Sequence, residues 1–393
     1  MFFIAETTPE SLNLKPRIKH ASIGESILDM VKNAKYSIDI GSIYSTLLNN
    51  GTPTPSDQIG RSIYNELVNA AKRGTKIRFL LTKPNEQFQE PEAEQLAKLF
   101  PKMITVGYLD LNKLTHHGGI QHMKCFIVDH ESIYLGSANC DWRAYSEVAE
   151  VGIFGIKSGD AGQYMQILYN YLWHEIDSPS SHQNRISCDY ESSHYKDLPM
   201  TVGHPPIQLS FSMSPPFFKK YGIESDLDAI RKVINNQNEG FIRLCAMEYS
   251  NFTYELHGHK FWGEVDWMIR KATMERDVTV HIMVDHHDIK SFLPRHSLQT
   301  LHGYGKICVK TIEFPKLQPD IPFTRLFHSK MCISEDRAWV STNNLTPNYF
   351  ENCSGIGCTL FGTTLAGNKM IIELKEIFDR YYDSEYAKYL ELS

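Results

Sequence analysis

Two short stretches of the chain place a lysine two residues after a histidine. The first contains His122 and Lys124, and the second contains His328 and Lys330. On an extended strand, residues two apart point to the same face, so each imidazole would lie beside an ammonium group. A histidine can move protons or attack as a nucleophile near neutral pH, and a lysine beside it can hold a negative oxygen. Each pair therefore indicates a site that handles phosphate.

The two stretches also match beyond the lysine. Four mostly apolar residues lead to an acid in both, Asp129 in the first copy and Glu335 in the second. A single pairing of this kind arises by chance in a chain of several hundred residues. Two copies with the same internal spacing indicate one constellation that was duplicated, and hence one site built twice.

The duplicated His-x-Lys-x4-Asp/Glu pattern, with Gly-Ser-x-Asn soon after it, resembles the signature of the phospholipase D superfamily. GSANCDWR (136–143), IPFTRLFHSK (321–330) and NYF (348–350) are similar to the variants of one branch. That branch holds the animal endolysosomal phospholipase D-like proteins and the poxvirus nicking-joining enzymes. The resemblance covers nearly the whole chain.

The resemblance implies a mechanism in which the two histidines act together on a phosphodiester. One imidazole attacks phosphorus to form a phosphohistidine while the other protonates the leaving alcohol, and water or another alcohol then releases the intermediate. Family members most often use the N-terminal histidine as nucleophile, which assigns that role to His122 and the acid/base role to His328. Lys124 and Lys330 would hold the non-bridging oxygens. The implied mechanism requires no metal or other cofactor.

Further side chains are expected to complete the site. The resemblance adds the motif acids Asp129 and Glu335 to the catalytic set, and Ser137, Asn139 and Asn344 to the substrate-binding set. A carboxylate on the far ring nitrogen usually sets the tautomer of a working histidine. In the first half the matching acid is Glu150, which we expect to serve His122. In the second half the matching position is Asn352, with Glu351 beside it, and these are the candidates to orient His328.

The second copy departs from the family pattern around its histidine. Residues 341–344 read Ser-Thr-Asn-Asn where the family usually has Gly-Thr-Ser-Asn, and Phe327 stands where this branch often has asparagine. An inactive descendant that keeps the fold as a scaffold or as a membrane-associated protein is therefore the non-enzymatic alternative.

Strand and helix patterns alternate ahead of each histidine. They predict strands over 37–43, 76–81 and 104–109 and helices over 59–72 and 90–100, then strands over 241–247 and 278–284 with a helix over 261–272. Each half closes with a predicted helix, over 163–176 and 368–382. This alternation predicts an α/β fold of two similar α/β/α sandwich halves, packed about a pseudo-twofold axis. The predicted domains are 1–176 and 205–393, with a polar linker over 177–204.

Composition narrows the class of protein further. A net charge of −6 over 393 residues argues against a surface that coats nucleic acid, although a narrow cationic cleft remains compatible with it. No apolar run approaches the ~20 residues of a membrane span, and the N-terminus lacks the shape of a secretory signal. We expect a cytoplasmic or peripheral membrane protein, or an endolysosomal one if an upstream segment is missing. The eight cysteines show no Cys-x-x-Cys, which favours buried, reduced thiols.

Family naming favours phospholipase D-type activity on a phospholipid headgroup. The alternative is an exonuclease or nicking-joining nuclease that acts on single-stranded nucleic acid by the same mechanism. A lipid enzyme should expose apolar residues around its cleft and contact membranes peripherally, whereas a nuclease should present a basic, aromatic-lined groove. His/Asp clusters such as residues 285–288 lack the spacing of a zinc site, so no metal is expected. Oligomeric state stays open.

Overall fold

The strands of the protein form two large mixed sheets. The computed structural model describes residues 1–14, 16, 18–51, 53–84, 91–115, 118–176, 199–255 and 258–391. The first sheet uses strands between residues 2 and 155, and the second uses strands between residues 200 and 389. Most of the predicted linker, 177–198, lies outside the described residues, and the predicted domain limits remain predictions.

The first half contains ten strands and five α-helices among its described residues. Its strands are β1 (Phe2–Thr7), β2 (Ala21–Ser22), β3 (Ser37–Gly41), β4 (Ser45–Thr46), β5 (Lys76–Thr82), β6 (Ile104–Leu109), β7 (Cys125–Val128), β8 (Ser132–Gly136), β9 (Cys140–Asp141) and β10 (Glu150–Gly155). Its helices are α1 (Ile23–Asn33), α2 (Gln58–Arg73), α3 (Glu92–Leu99), α4 (Asn112–Thr115) and α5 (Asp160–His174). Strands β4 and β9 pair with each other apart from the main sheet.

The second half repeats this arrangement. Its strands are β11 (Met200–Val202), β12 (Ile207–Ser214), β13 (Glu224–Ser225), β14 (Glu239–Ala246), β15 (Phe252–Glu255), β16 (Gly258–Phe261), β17 (Asp277–Asp285), β18 (Ile307–Ile312), β19 (Met331–Ile333), β20 (Arg337–Ser341), β21 (Gly355–Phe361) and β22 (Ala387–Tyr389). Its helices are α6 (Asp226–Asn236), α7 (Glu264–Glu275), α8 (Phe292–Leu301), α9 (Pro347–Glu351) and α10 (Leu365–Tyr382).

The strand orders of the two sheets correspond. The first runs β1-β10-β8-β7-β3-β5-β6, and the second runs β12-β21-β20-β19-β14-β17-β18. In each, three strands are parallel, β3-β5-β6 and β14-β17-β18, and the strands after the two histidines, β7 and β19, run antiparallel to their neighbours. The predicted α/β class and the duplication are therefore confirmed, with sheets that are mixed.

Local sequence explains where the matching helices begin. Ser22 and Ser225 are the N-caps of α1 and α6, and each side-chain oxygen accepts a hydrogen bond from a backbone N–H in the first turn. Such a cap satisfies one of the unpaired amides at a helix start. Helix α2 ends at Gly74, whose φ of +95° is the left-handed conformation that glycine adopts without strain.

The two halves are joined through backbone pairing close to both histidines. Gln121 forms a parallel bridge with Ser354, and Ala149 forms one with Phe327. As a result the His122 amide donates to the Ser354 carbonyl at 2.8 Å. One hydrophobic cluster also extends through both halves, with the Tyr164 and Phe211 rings 5.9 Å apart. Each histidine is thus held by backbone from the opposite half.

Two features of the described residues bear on membrane association and cysteine chemistry. No described helix is both long enough and apolar enough to cross a membrane. Seven cysteines lie within the described part of the chain, all as free thiols, and six of them are buried.

Candidate active site

His122 and His328 come from opposite halves and line the same cavity of about 370 Å³. Each histidine lies three residues before a short central strand, β7 or β19, and its backbone amide donates to a carbonyl of the opposite half, which fixes its position. The residues that line the cavity are Ile43, Tyr44, Ile120, His122, Asn139, Asp141, Arg143, Ala144, Val148, Glu150, Met247, Glu248, Phe323, Leu326, His328, Asn344 and Tyr349. The predicted meeting of the two histidines is present in the structure.

The two motif lysines lie beneath the histidines and are completely buried. Lys124 Nζ donates to the His122 carbonyl at 2.9 Å, and Lys330 Nζ donates to the His328 carbonyl at 2.5 Å. Burial, and for Lys124 also the charge of Lys330, lowers both pKa values, that of Lys330 to about 8. The carboxylates of Glu150 and Glu248 act in the opposite direction on both lysines, and a bound anion would favour the two ammonium groups further.

Burial favours the neutral form of both imidazoles. Burial lowers the pKa of His122 well below its usual value, and the charges of Lys124 and Lys330 lower it further. Burial also lowers the pKa of His328, to about 4, although the Glu150 carboxylate acts in the opposite direction. Binding an anion among these groups would favour their charged forms and raise all four pKa values.

Glu150 contacts the histidine of the opposite half. Its carboxylate oxygens lie 2.8 and 3.0 Å from His328 Nδ1. The expectation that Glu150 serves His122 is therefore wrong. The reason is the crossed pairing, because Ala149 is bridged to Phe327 and the next residue on each strand brings Glu150 against His328.

The pseudo-twofold equivalent of Glu150, in the second half, is a glycine. Ser354 pairs with the segment before His122 as Ala149 pairs with the segment before His328, which makes Gly355 the counterpart of Glu150. A Cβ at Gly355 would lie 2.0 Å from Asn343 Oδ1, so no side chain fits there. No carboxylate contacts His122 Nδ1 among the described residues; a backbone hydrogen bond with Thr342 raises the pKa of His122 against the larger effect of burial. The two histidines therefore differ in the group behind the ring, since a carboxylate contacts Nδ1 of His328 and none contacts Nδ1 of His122.

The other expected partners of His328 lie elsewhere. Glu351 is exposed at the end of α9, and Asn352 lines a neighbouring cavity of about 520 Å³. The His328 Nδ1 position that they were expected to fill is occupied by Glu150. Spacing along the chain could not reveal this, because the partner comes from the opposite half.

The expected substrate-binding residues divide into two groups. Asn139 and Asn344 both line the cavity, and Asn344 Nδ2 donates to Glu248 Oε2 at 3.2 Å. Ser137 does not line it, because its hydroxyl is bonded to the Val151 backbone on both sides, donating to the carbonyl and accepting from the amide. The structure thus brings the two asparagines to the site and uses the serine to hold β10.

Several cavity residues were not predicted as site residues. The Tyr349 ring lies 4.5 Å from the His122 ring, centroid to centroid, and Glu248 comes shortly after strand β14. Asp141 binds Arg143 through two oxygens, with Arg143 Nε 2.9 Å from Asp141 Oδ1. Tyr349, Asp141 and Arg143 belong to stretches that carry the family resemblance, which was the available signal. Glu248 had no signal beyond its place near a strand end.

Comparison with known proteins identifies a matching family. A family model described as "PLD3/4, PLD-like domain" matches residues 17–313. The chain belongs to this PLD-like family. The predicted enzyme class, a phospholipase D-like phosphodiester hydrolase, is thereby confirmed at the level of the family.

The relatives of this PLD-like protein carry two kinds of name. A Dictyostelium discoideum protein named phospholipase D Z is 28% identical and aligns with 98% of this chain and 89% of its own. The human 5'-3' exonuclease PLD3 is 30% identical over 99% of this chain and 81% of its own. The crystal structure of a Haemophilus influenzae phosphatidylserine synthase shares the fold, with a TM-score of 0.61 at 13% identity, over 93% of this chain and 85% of that chain.

The motif acids of this PLD-like chain lie away from the cavity. Asp129 accepts hydrogen bonds from the backbone amides of Lys35, Tyr36 and Ser37 at 2.7 to 2.9 Å. In the matching place, Glu335 accepts from the Phe241 amide at 3.4 Å and pairs with Lys375. Each acid stands at the far end of the strand that the histidine precedes. Both hold the start of the neighbouring strand and neither faces the histidines.

The unusual residues of the second PLD-like motif are bonded to one buried acid. Asp226, fully buried in the first turn of α6, accepts from the Ser341 hydroxyl at 2.7 Å and from Asn343 Nδ2 at 2.8 Å. The Trp339 indole and the Ser212 hydroxyl also donate to it. Ser341 and Asn343, which depart from the family pattern, thus have structural partners in the second half.

The described residues contain no cluster of three or more potential ligands arranged for a metal ion. Within the 285–288 stretch, Asp285 accepts from the Phe327 and His287 amides, and Asp288 accepts from the Tyr249 amide. These acids stabilise loops near the PLD-like site. The 116–117 histidine pair lies outside the described residues.

Proposed function

We propose that this protein hydrolyses phosphodiesters through a covalent phosphohistidine, with His122 as the nucleophile and His328 as the acid and base. The observation that carries the proposal is the unequal support of the two imidazoles. Glu150 lies against His328 Nδ1 at 2.8 Å, whereas His122 Nδ1 has no such partner among the described residues.

A carboxylate behind an imidazole favours its protonated form and fixes the proton that the other nitrogen can give. This suits His328 to donate a proton to the leaving oxygen. A nucleophile needs instead a free lone pair, and His122 is kept neutral by burial and by the neighbouring lysines. The asymmetry therefore matches the two chemical roles.

The proposed reaction has two steps. In the first, a His122 ring nitrogen bonds to phosphorus, the bond to the leaving oxygen breaks, and His328 gives its proton to that oxygen. In the second, His328 takes a proton from water as the water oxygen attacks phosphorus, and the bond to His122 breaks. Lys124, Lys330, Asn139 and Asn344 stabilise the charge on the non-bridging oxygens in both steps. No metal is needed for this sequence of steps.

Two substrate classes fit the proposed chemistry. A phospholipid headgroup ester is supported by the relative named phospholipase D Z and by apolar cavity residues such as Val148 and Leu326. Single-stranded nucleic acid is supported by the relatives named 5'-3' exonuclease and by the aromatic side chains at the cavity. The shared centre is the phosphodiester.

A parallel turnover assay tests the proposal. Purified protein is given phosphatidylcholine vesicles and, separately, a 5'-hydroxyl single-stranded oligonucleotide, with a chelator present. We expect turnover of one class, and His122→Ala should abolish it. Brief acid-free denaturation of wild type during turnover should trap His122 that carries the phosphatidyl or the nucleotidyl group of the substrate, joined through phosphorus to a ring nitrogen. Absence of turnover on both substrates, or an adduct on His328 alone, would reject the proposal.

A further inference from the structure

The lip of the catalytic cavity carries an exposed aromatic ring in an unusual backbone conformation. Phe323 lines the cavity with 68% of its surface exposed, and its φ is +61°. A bulky residue with positive φ is uncommon and costs about 1–3 kcal/mol, so the surrounding structure must hold it. Exposure also forgoes the gain that a phenylalanine has from burial.

The opposite half of the protein supports this ring from one side. The Arg143 guanidinium lies 5.5 Å from the Phe323 ring centroid, and Arg143 Nη1 donates to the Pro322 carbonyl at 3.2 Å. Asp141 in turn holds Arg143 through Nε and Nη2. Arg143 is thereby engaged by this contact and by Asp141. Arg143 lies over the ring, and 68% of the Phe323 surface stays exposed.

The chain on either side of the ring is also anchored. Arg325 pairs with Glu147 at 3.1 Å, and its backbone amide donates to the Glu147 carbonyl at 2.8 Å. Two residues later the chain enters the bridge between Ala149 and Phe327, and His328 comes next. The position of the ring is therefore linked by a short, fixed segment to the proposed acid/base.

We propose that Phe323, backed by Arg143, is a stacking platform for the base of a nucleotide whose phosphate lies between the two histidines. A rigid flat ring that is largely exposed favours a planar partner, and stacking on an aromatic tolerates any base. The cavity of about 370 Å³ lies near the lower end of the volumes that enclose small ligands, which is room for one nucleotide.

This inference rests on the proposed phosphodiesterase function and adds a specificity-determining residue to it. Its test is a binding comparison that does not depend on turnover. Binding of short single-stranded oligonucleotides to His122→Ala protein is measured by fluorescence anisotropy. In one series each base in turn is removed to leave an abasic sugar, which keeps the phosphates and the charge.

We expect loss of one base next to the bound phosphate to weaken binding by about 5- to 150-fold. Phe323→Ala in the same background should remove that preference, and Phe323→Tyr should retain it. Trp267→Ala is the matched control, because Trp267 is 69% exposed but lies on α7 and does not line the cavity. The Trp267→Ala protein should show the same loss of affinity on removal of the base as the parent His122→Ala protein.

Equal base preference in the parent and in Phe323→Ala would overturn the inference. So would a Phe323→Ala defect confined to vesicle binding, since that would make the ring a lipid contact. Failure of wild type to turn over any phosphodiester would reject the proposed function, while the anisotropy comparison would still decide the role of Phe323. Thermal denaturation of each variant establishes that it is folded.

Discussion

Glu150 is the side chain on which the difference between the two histidines depends. It raises the pKa of His328 against the effect of burial, whereas Gly355 stands in the corresponding place near His122. The pKa of His328 is about 4 and that of Lys330 is about 8, and both groups should be charged to act on an anion. Activity is therefore expected to be greatest in acid.

Glu150→Gln should reduce kcat by about 10²- to 10⁴-fold, the usual range for a lost proton-transfer function. For wild type, kcat/KM should decline as pH rises above about 4, where free His328 loses its proton, and decline again above about 8, where Lys330 loses its charge. Removing the carboxylate lowers the His328 pKa further, so the first decline should move to lower pH. The measurement is the pH profile of kcat/KM on the substrate identified in the turnover assay.

Glu335→Gln is the control for that profile. Glu335 is an acid of the second motif, but it pairs with Lys375 away from the cavity. Its variant should keep the wild-type profile. If Glu150→Gln also kept it, the carboxylate would have no part in proton transfer.

Asp129 should contribute to the stability of the protein and not to catalysis. Asp129→Ala leaves three backbone amides without their acceptor, at residues 35–37, and should lower the free energy of unfolding by about 2–4 kcal/mol. The kcat of the folded fraction should stay near that of wild type. Chemical denaturation and active-site titration separate the two effects. A large fall in kcat with unchanged stability would return Asp129 to the catalytic set.

At the scale of elements, the second sheet is tied to helix α6 by one buried acid. Asp226 joins the first turn of α6 to strands β12 and β20 through Ser212, Trp339 and Ser341. Burial raises its pKa even though four donors favour the ionised form. A carboxylate with a raised pKa stabilises the fold most at low pH, and this contribution is lost as pH rises through the folded-state pKa.

Asp226→Ala should therefore destabilise the protein by about 3–5 kcal/mol, because four buried donors lose their acceptor. Asp228→Asn is the matched control on the same helix, since Asp228 forms partly exposed ion pairs with Lys219 and Arg231 and should cost less than about 1 kcal/mol. Urea denaturation of both variants measures the difference. Similar midpoints for the two would contradict the anchoring role of Asp226.

Most helices and strands could be predicted from the sequence, because the signals that define them lie within the segment itself. Strand β6 has the predicted bounds 104–109, and helix α2 differs by one residue at each end, because apolar periodicity and the Arg73-Gly74 stop are local signals. Strand β1 was not predicted, since its pairing with β10 depends on residues far along the chain. Residues 261–263 were expected to be helical, but Phe261 ends strand β16 and α7 begins at Glu264.

The same distinction explains the site. His122, Lys124 and their second-half counterparts could be found from residue type and spacing, and Asn139 and Asn344 from the family resemblance. The partner of His328 could not, because spacing within one half carries no information on which strand lies across the interface. The roles of Asp129 and Glu335 were also beyond reach, since a motif does not say which of its side chains faces the cavity.

At the scale of the whole molecule, the site exists only where the halves meet. The backbone bridges and the shared hydrophobic cluster make each half part of the support of the other. Fragments 1–176 and 199–393, produced separately, should each lack turnover and expose apolar surface. Refolded together, they should regain activity. Turnover by either fragment alone, free of its dimer, would show that one histidine is enough.

The contact between Glu150 and His328 also suggests a reason for having both halves in one polypeptide. A symmetric pair of identical subunits must repeat every residue across its axis, so it cannot place an acid behind one histidine and a glycine behind the other. Joining the two copies in one polypeptide releases them from that identity. Each copy can then change independently, and a twofold arrangement can yield a nucleophile on one side and a proton carrier on the other. Covalent fusion thus gives this protein the freedom to break its own symmetry.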